Sequence, residues 1–119
     1  MTHRLLGTVE IGNVRTLVKE RGKTYVYVGR GRAPDGLEHA HLGNPFVVGA
    51  GYAQGEAAAA FLPWLRTEYR RGAVIRRTLE DLARRVRAGE HLVLVCWCAP
   101  RPCHAEHLRS AVLGLAAQD

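Results

Sequence analysis

Leu92-Val93-Leu94-Val95-Cys96 is an unbroken apolar run, and Trp97-Cys98-Ala99-Pro100-Arg101-Pro102-Cys103-His104 follows it directly. An apolar run without alternation predicts a strand buried on both faces, as in a sheet covered by helices. Pro100 and Pro102 stiffen the stretch behind it, and Pro102 stands where a helix start tolerates proline. Leu108, Ala111, Val112 and Leu115 then form the apolar stripe of a helix over 103–116. A buried strand, a short stiff loop and a helix are the signature of an α/β domain.

Upstream, Thr8-Val9-Glu10-Ile11 alternates and is closed by Gly12-Asn13, which predicts a short strand. Thr24-Tyr25-Val26-Tyr27-Val28, β-branched and aromatic between Gly22 and Gly29, predicts a second. The glycine-rich stretch from 29 to 52, with Pro34 and Pro45, reads as a long ordered loop, and Phe46-Val47-Val48 would pin it to the core. Ala57, Phe61, Leu65 and Tyr69 recur every four residues and predict a helix over 54–69, which Pro63 should kink or split. Ile75, Leu79, Leu82 and Val86 predict another over 75–88, stopped by Gly89. The expected fold is a single α/β domain of two or three layers spanning 1–119, with a short, mostly parallel or mixed sheet packed by three helices.

With 119 residues, 47% hydrophobic and 24% charged, the composition is that of a globular chain able to bury a real core. No apolar run approaches a membrane span, and Met1-Thr2-His3-Arg4 leads into no secretory pattern. The expected location is the cytoplasm, with no membrane partner. The formal charge of +6 suits an acidic partner: an anionic small molecule, a nucleotide or a nucleic acid. Between positions 66 and 90, eight arginines stand among four acids, with pairs four apart at Arg76–Glu80, Glu80–Arg84, Arg77–Asp81 and Asp81–Arg85. Such pairs dress a solvent-facing helix, and no interleaved aromatics of the single-strand-binding kind accompany them.

All three cysteines fall within eight residues, at 96, 98 and 103, which points to one local site in a reducing compartment. The strand would deliver Cys96 and Cys98 at its carboxyl end, where open α/β sheets bind ligands. Cys103-His104 would open the helix, where backbone N–H groups and the helix dipole attract anions and favour a thiolate. In one reading Cys98 or Cys103 is the nucleophile or proton partner, with His104 moving or holding the proton. In another, Cys98, Cys103 and His107 bind zinc, with Cys96 or His104 as a fourth ligand. In a third, Cys96 and Trp97 only pack. A Cys98–Cys103 disulfide is a fourth outcome.

Earlier segments offer further candidate site residues. Asn13 and Arg15 follow the first strand and Gly29-Arg30 the second, each placing a guanidinium on a loop where it can hold phosphate or carboxylate. Gly43-Asn44-Pro45-Phe46 is a turn sequence in which Asn44 or the Gly43 amide would face a ligand. His39 and His41 read as solvated histidines.

These same pieces, Asn13-x-Arg15, Val26-Tyr27-Val28-Gly29-Arg30, Leu42-Gly43-Asn44-Pro45-Phe46 and the CWCAPxPCH string with Leu108, resemble in order the bacterial and phage family called domain of unknown function 4326. The resemblance implies that they form one site on an α/β domain and brings no activity with it. Membership in phage genomes adds only an association with nucleotide or nucleic-acid chemistry. The chain departs from the family at His107, where an aliphatic residue is expected, and in a longer stretch over 32–41.

The combined expectation is an enzyme acting on a nucleotide or another phosphorylated small molecule. Its substrate would contact Asn13, Arg15, Gly29, Arg30, Gly43 and Asn44, and Cys98, Cys103 and His104 would carry thiol-dependent transfer or hydrolysis. No cofactor is expected. The alternative is a small zinc-stabilised binding module that contacts nucleic acid or a protein partner.

Overall fold

The computed structural model describes residues 7–34, 36–46, 51–72, 74–97 and 103–118. Four strands, β1 (Thr8–Asn13), β2 (Lys23–Tyr27), β3 (Glu38–His39) and β4 (His91–Cys96), form one sheet in the order β1-β4-β2-β3. All of its pairings are parallel. Three helices accompany it: α1 (Gln54–Arg71), α2 (Val74–Arg87) and α3 (His104–Ala116).

The last strand in sequence is an inner strand in space. β4 enters between β1 and β2, which explains why its residues from Leu92 to Cys96 are buried without alternation. On one face Val9, Val26, Leu92, Leu94 and Cys96 join the core with Phe61, Leu79, Leu82, Val86, Leu108 and Val112. All three helices therefore lie against that face and touch one another. The opposite face, carrying Val93, Val95, Tyr25 and Tyr27, is covered by the connection between β1 and β2. Leu17 approaches Gly12, and the Tyr25 hydroxyl accepts from the Glu20 amide at 2.6 Å. A connection of residues 14–22 is too short for a helical crossover, so the domain has two layers.

Three expectations need correction. The stretch after β2 is not wholly loop: Glu38 and His39 add a two-residue edge strand to β2. No periodicity marks so short a strand; it is held by pairing and by the bidentate Arg85–Glu38 contact from α2. Pro63 does not split α1, which runs unbroken through it. Pro63 and Ala59, whose carbonyl the proline cannot engage, are both exposed, so solvent can satisfy that acceptor. The surface pairs also rearrange. Arg76–Glu80 and Asp81–Arg85 form, at 4.0 and 3.9 Å. Glu80 accepts from the Tyr69 hydroxyl, however, and Arg84 turns to Asp81. Phe46 is half-buried against Tyr52, whereas Val47 and Val48 lie outside the described residues. No described helix is long and apolar enough to cross a membrane.

Candidate functional site at the carboxyl edge of the sheet

The parallel register brings the carboxyl ends of β1, β4 and β2 to one level. Asn13 pairs with Cys96 and Tyr27 with Val95, and the Val28 amide donates to the Val95 carbonyl at 2.9 Å. The residues leaving these strands form two tiers.

The outer tier is a polar shelf. Asn13 closes a tight turn by accepting from the Arg15 amide at 2.8 Å, and its side-chain amide donates to the Trp97 carbonyl at 3.2 Å. It thereby ties the exit of β1 to the exit of β4. Arg15 is exposed, with its guanidinium 5.9 Å from the centre of the Trp97 ring. Trp97 is not the packing residue of the third reading: it is 45% exposed. Its indole N–H donates to the Tyr27 hydroxyl at 3.0 Å, and that hydroxyl donates to the Arg30 carbonyl. Tyr27 is fully buried yet spans from the core to the turn that carries the exposed Arg30.

Glycines make this turn tight. A Cβ on Gly29 would fall 2.5 Å from the Tyr27 hydroxyl, and one on Gly43 would fall 2.7 Å from Arg30 Cγ. Gly29 leaves room for the Tyr27 ring within its own turn, and Gly43 lets the later segment close on Arg30 and the Gly29 carbonyl. Asn44 is buried, and its amide is engaged by backbone on both sides: Nδ2 donates to the Ala57 carbonyl at 2.9 Å, and Oδ1 accepts from the Phe46 amide at 3.0 Å. It fastens the turn to α1. His39 is tied down rather than freely solvated. Its Nδ1 accepts from the His41 amide at 3.0 Å, leaving Nε2–H to donate to the Gly31 carbonyl at 2.7 Å. Its ring stacks on that of His41 at 4.1 Å.

The inner tier is a thiol–imidazole cluster. Cys103 is the residue before the first turn of α3, with extended backbone, so its side chain stands at the positive end of that helix. Its Sγ donates to Cys96 Sγ at 3.0 Å and lies 3.6 Å from His104 Nδ1. His104 Nε2 sits 2.7 Å from the Val28 carbonyl. A carbonyl can only accept, so Nε2 carries the proton and, in the neutral ring, Nδ1 faces the thiol with a lone pair. Burial pushes the His104 pKa below its ordinary value; the Val28 bond opposes this, and the positive charges of Arg30 and His107 add to it. The imidazole is thus held as a neutral base.

The structure brings together Asn13, Arg15, Gly29, Arg30 and Gly43 on the shelf, with Cys103 and His104 beneath. Cys98 lies outside the described residues. His107, the fourth residue of α3, stacks on Phe61 at 6.5 Å, while His104 meets the same ring edge-on at 5.0 Å. Among the described residues no three His, Cys, Asp or Glu side chains gather as a metal site. Tyr27, Trp97 and the Val28 carbonyl are the participants that sequence reasoning missed. Their only signal was adjacency to Gly29-Arg30 and to the cysteines, which does not separate a site residue from a packed one.

No curated protein and no solved structure matches the chain. The match that does appear covers residues 13–114, from the Asn13 turn to the last helix, and on it the chain belongs to the family described as Domain of unknown function (DUF4326).

Proposed function

We propose that this domain is a thiol-dependent enzyme acting on a nucleotide or another phosphorylated small molecule bound at the carboxyl edge of the sheet. The observation that carries this reading is the Cys103–His104 pair. A thiol at a helix N-terminus faces the unprotonated Nδ1 of an imidazole whose tautomer the Val28 carbonyl sets. In the reaction, the Cys103 S–H turns from Cys96 to His104 Nδ1, its proton passes to Nδ1, and Sγ attacks the electrophilic atom of the substrate. The bond to the leaving group breaks, and that group takes the proton back from the imidazolium. Water or an acceptor then releases the substrate fragment from sulfur. The Val28 carbonyl also favours the imidazolium formed midway. Arg15 and Arg30 supply cations for the phosphate, and the exposed Trp97 supplies an aromatic face for a base.

The test pairs binding with turnover. Nucleoside phosphates and sugar phosphates titrated into isotope-labelled protein should shift the amides of Arg15, Gly29, Arg30 and Gly43 and quench Trp97 fluorescence. Cys103→Ser places a hydroxyl in a buried position, where it can donate to His104 Nδ1; it should cost no more than about 1–3 kcal/mol of unfolding stability, retain binding and abolish turnover of any ligand so found. Turnover that survives in Cys103→Ser removes the thiol from the mechanism, and a shelf that answers to no phosphorylated ligand overturns the substrate class.

A further inference from the structure

We propose a second binding site, in the groove between α1, α2 and α3, for a small amphiphile: an apolar body with a single carboxylate head. The groove is open to solvent and has a volume of about 570 Å³, the size of sites that take one small molecule. Leu62, Leu65, Tyr69, Leu79 and Leu115 give it an apolar lining. Its polar lining is one-signed. Arg66 and Arg70, one turn apart on α1, and His107 on α3 stand in it, and no Asp or Glu does. Among the described residues neither Arg66 nor Arg70 makes an ion pair, whereas the nearby Arg71 and Arg76 are neutralised by Glu68 and Glu80. Two uncompensated guanidiniums beside an apolar trough complement a carboxylate on an apolar chain.

Gly114 is an independent observation. It lies in the last turn of α3 and lines the groove, yet its backbone is ordinary helix and a Cβ there would meet nothing within 4 Å. A glycine inside a helix costs stability relative to alanine, and no close packing demands this one. Its effect is to leave the trough open. A second copy of the chain is a poor occupant. Twofold pairing would bring Arg66 and Arg70 towards their own equivalents in a chain of net charge +6. The groove adjoins the thiol cluster without sharing its groups: among the groove's lining residues only His107 acts on His104, through its charge, and Cys96, Cys103 and His104 do not line it.

The test titrates sodium decanoate, below its micellar concentration, into the isotope-labelled chain, with decan-1-ol and decyltrimethylammonium as neutral and cationic controls. Decanoate should give saturable shifts confined to the groove and bind at least about tenfold more tightly than either control. Arg66→Gln with Arg70→Gln, both on the surface, should erase that preference. Gly114→Leu should fill the trough and abolish binding while unfolding at no lower a denaturant midpoint. Equal binding of decanol, shifts elsewhere, or undiminished binding in Gly114→Leu overturns the proposal. So does sedimentation showing a dimer through this face that decanoate does not perturb.

Discussion

His104 is the residue in which local chemistry and burial are most tightly joined. Burial is the first cause of its lowered pKa, outweighing the Val28 carbonyl bond that favours the charged ring. The unfolded chain therefore accepts a proton near the ordinary value of 6.5 that the folded chain refuses, and stability rises with pH across that window. The contribution of His104 is complete above pH 6.5 and is lost as the pH falls below it, through the lower folded value. Urea midpoints measured from pH 7.5 down to about 5 should decline, and His104→Gln should flatten the decline. An unchanged slope in His104→Gln would assign the acid sensitivity to other groups. The same protonation removes the base from Cys103, so alkylation of Cys103 should slow over the same range.

Among the elements, the turn after β2 and the segment around Gly43 are coupled by close approach rather than by side-chain bonds. Gly29→Ala places a methyl 2.5–2.8 Å from the Tyr27 ring and hydroxyl, atoms fixed by burial and by bonds to Trp97 and Arg30. The clash should cost about 1–3 kcal/mol and misplace Arg30, reducing phosphate binding in proportion. Gly12→Ala is a control. Its methyl would meet the ends of the Val93 and Leu17 side chains at 3.1 and 3.4 Å, which can yield, so its cost in chemical denaturation should be smaller. Comparable losses at the two positions would show that the Tyr27 turn has slack this geometry does not predict.

For the molecule as a whole, one guanidinium connects layers that the sheet leaves loosely joined. Arg85, largely buried on α2, reaches both carboxylate oxygens of Glu38 on edge strand β3, at 3.0 and 3.2 Å, and Glu90 ahead of β4 at 3.3 Å. Burial lowers its pKa, but the bonds to Glu38 and the charges of both acids outweigh this and raise it. Because the two carboxylates are about half exposed, solvent screens much of the attraction. Arg85→Met should therefore cost about 1–2 kcal/mol, and amide exchange should accelerate selectively at His39 and Ala40. Uniform acceleration across the sheet would mean that Arg85 supports the core rather than the edge strand.

Local pattern determined every described element except the edge strand β3. The apolar run at 92–96, the four-residue recurrence in α1 and the stripes of α2 and α3 are properties of neighbouring residues, so their periods survive without a fold. The chemistry at the start of α3 was legible for the same reason: a helix N-terminus gives Cys103 its field wherever the helix packs. The strand order was decided only by the tertiary structure. Inserting β4 between β1 and β2 depends on contacts far apart in sequence, and that insertion sets Trp97 against Tyr27 and Asn13 and brings the Val28 carbonyl to His104. It also determined which arginines are neutralised and which face an open groove. A side chain of any sign can lie on a helix surface, and its partner is chosen by what the fold brings near it.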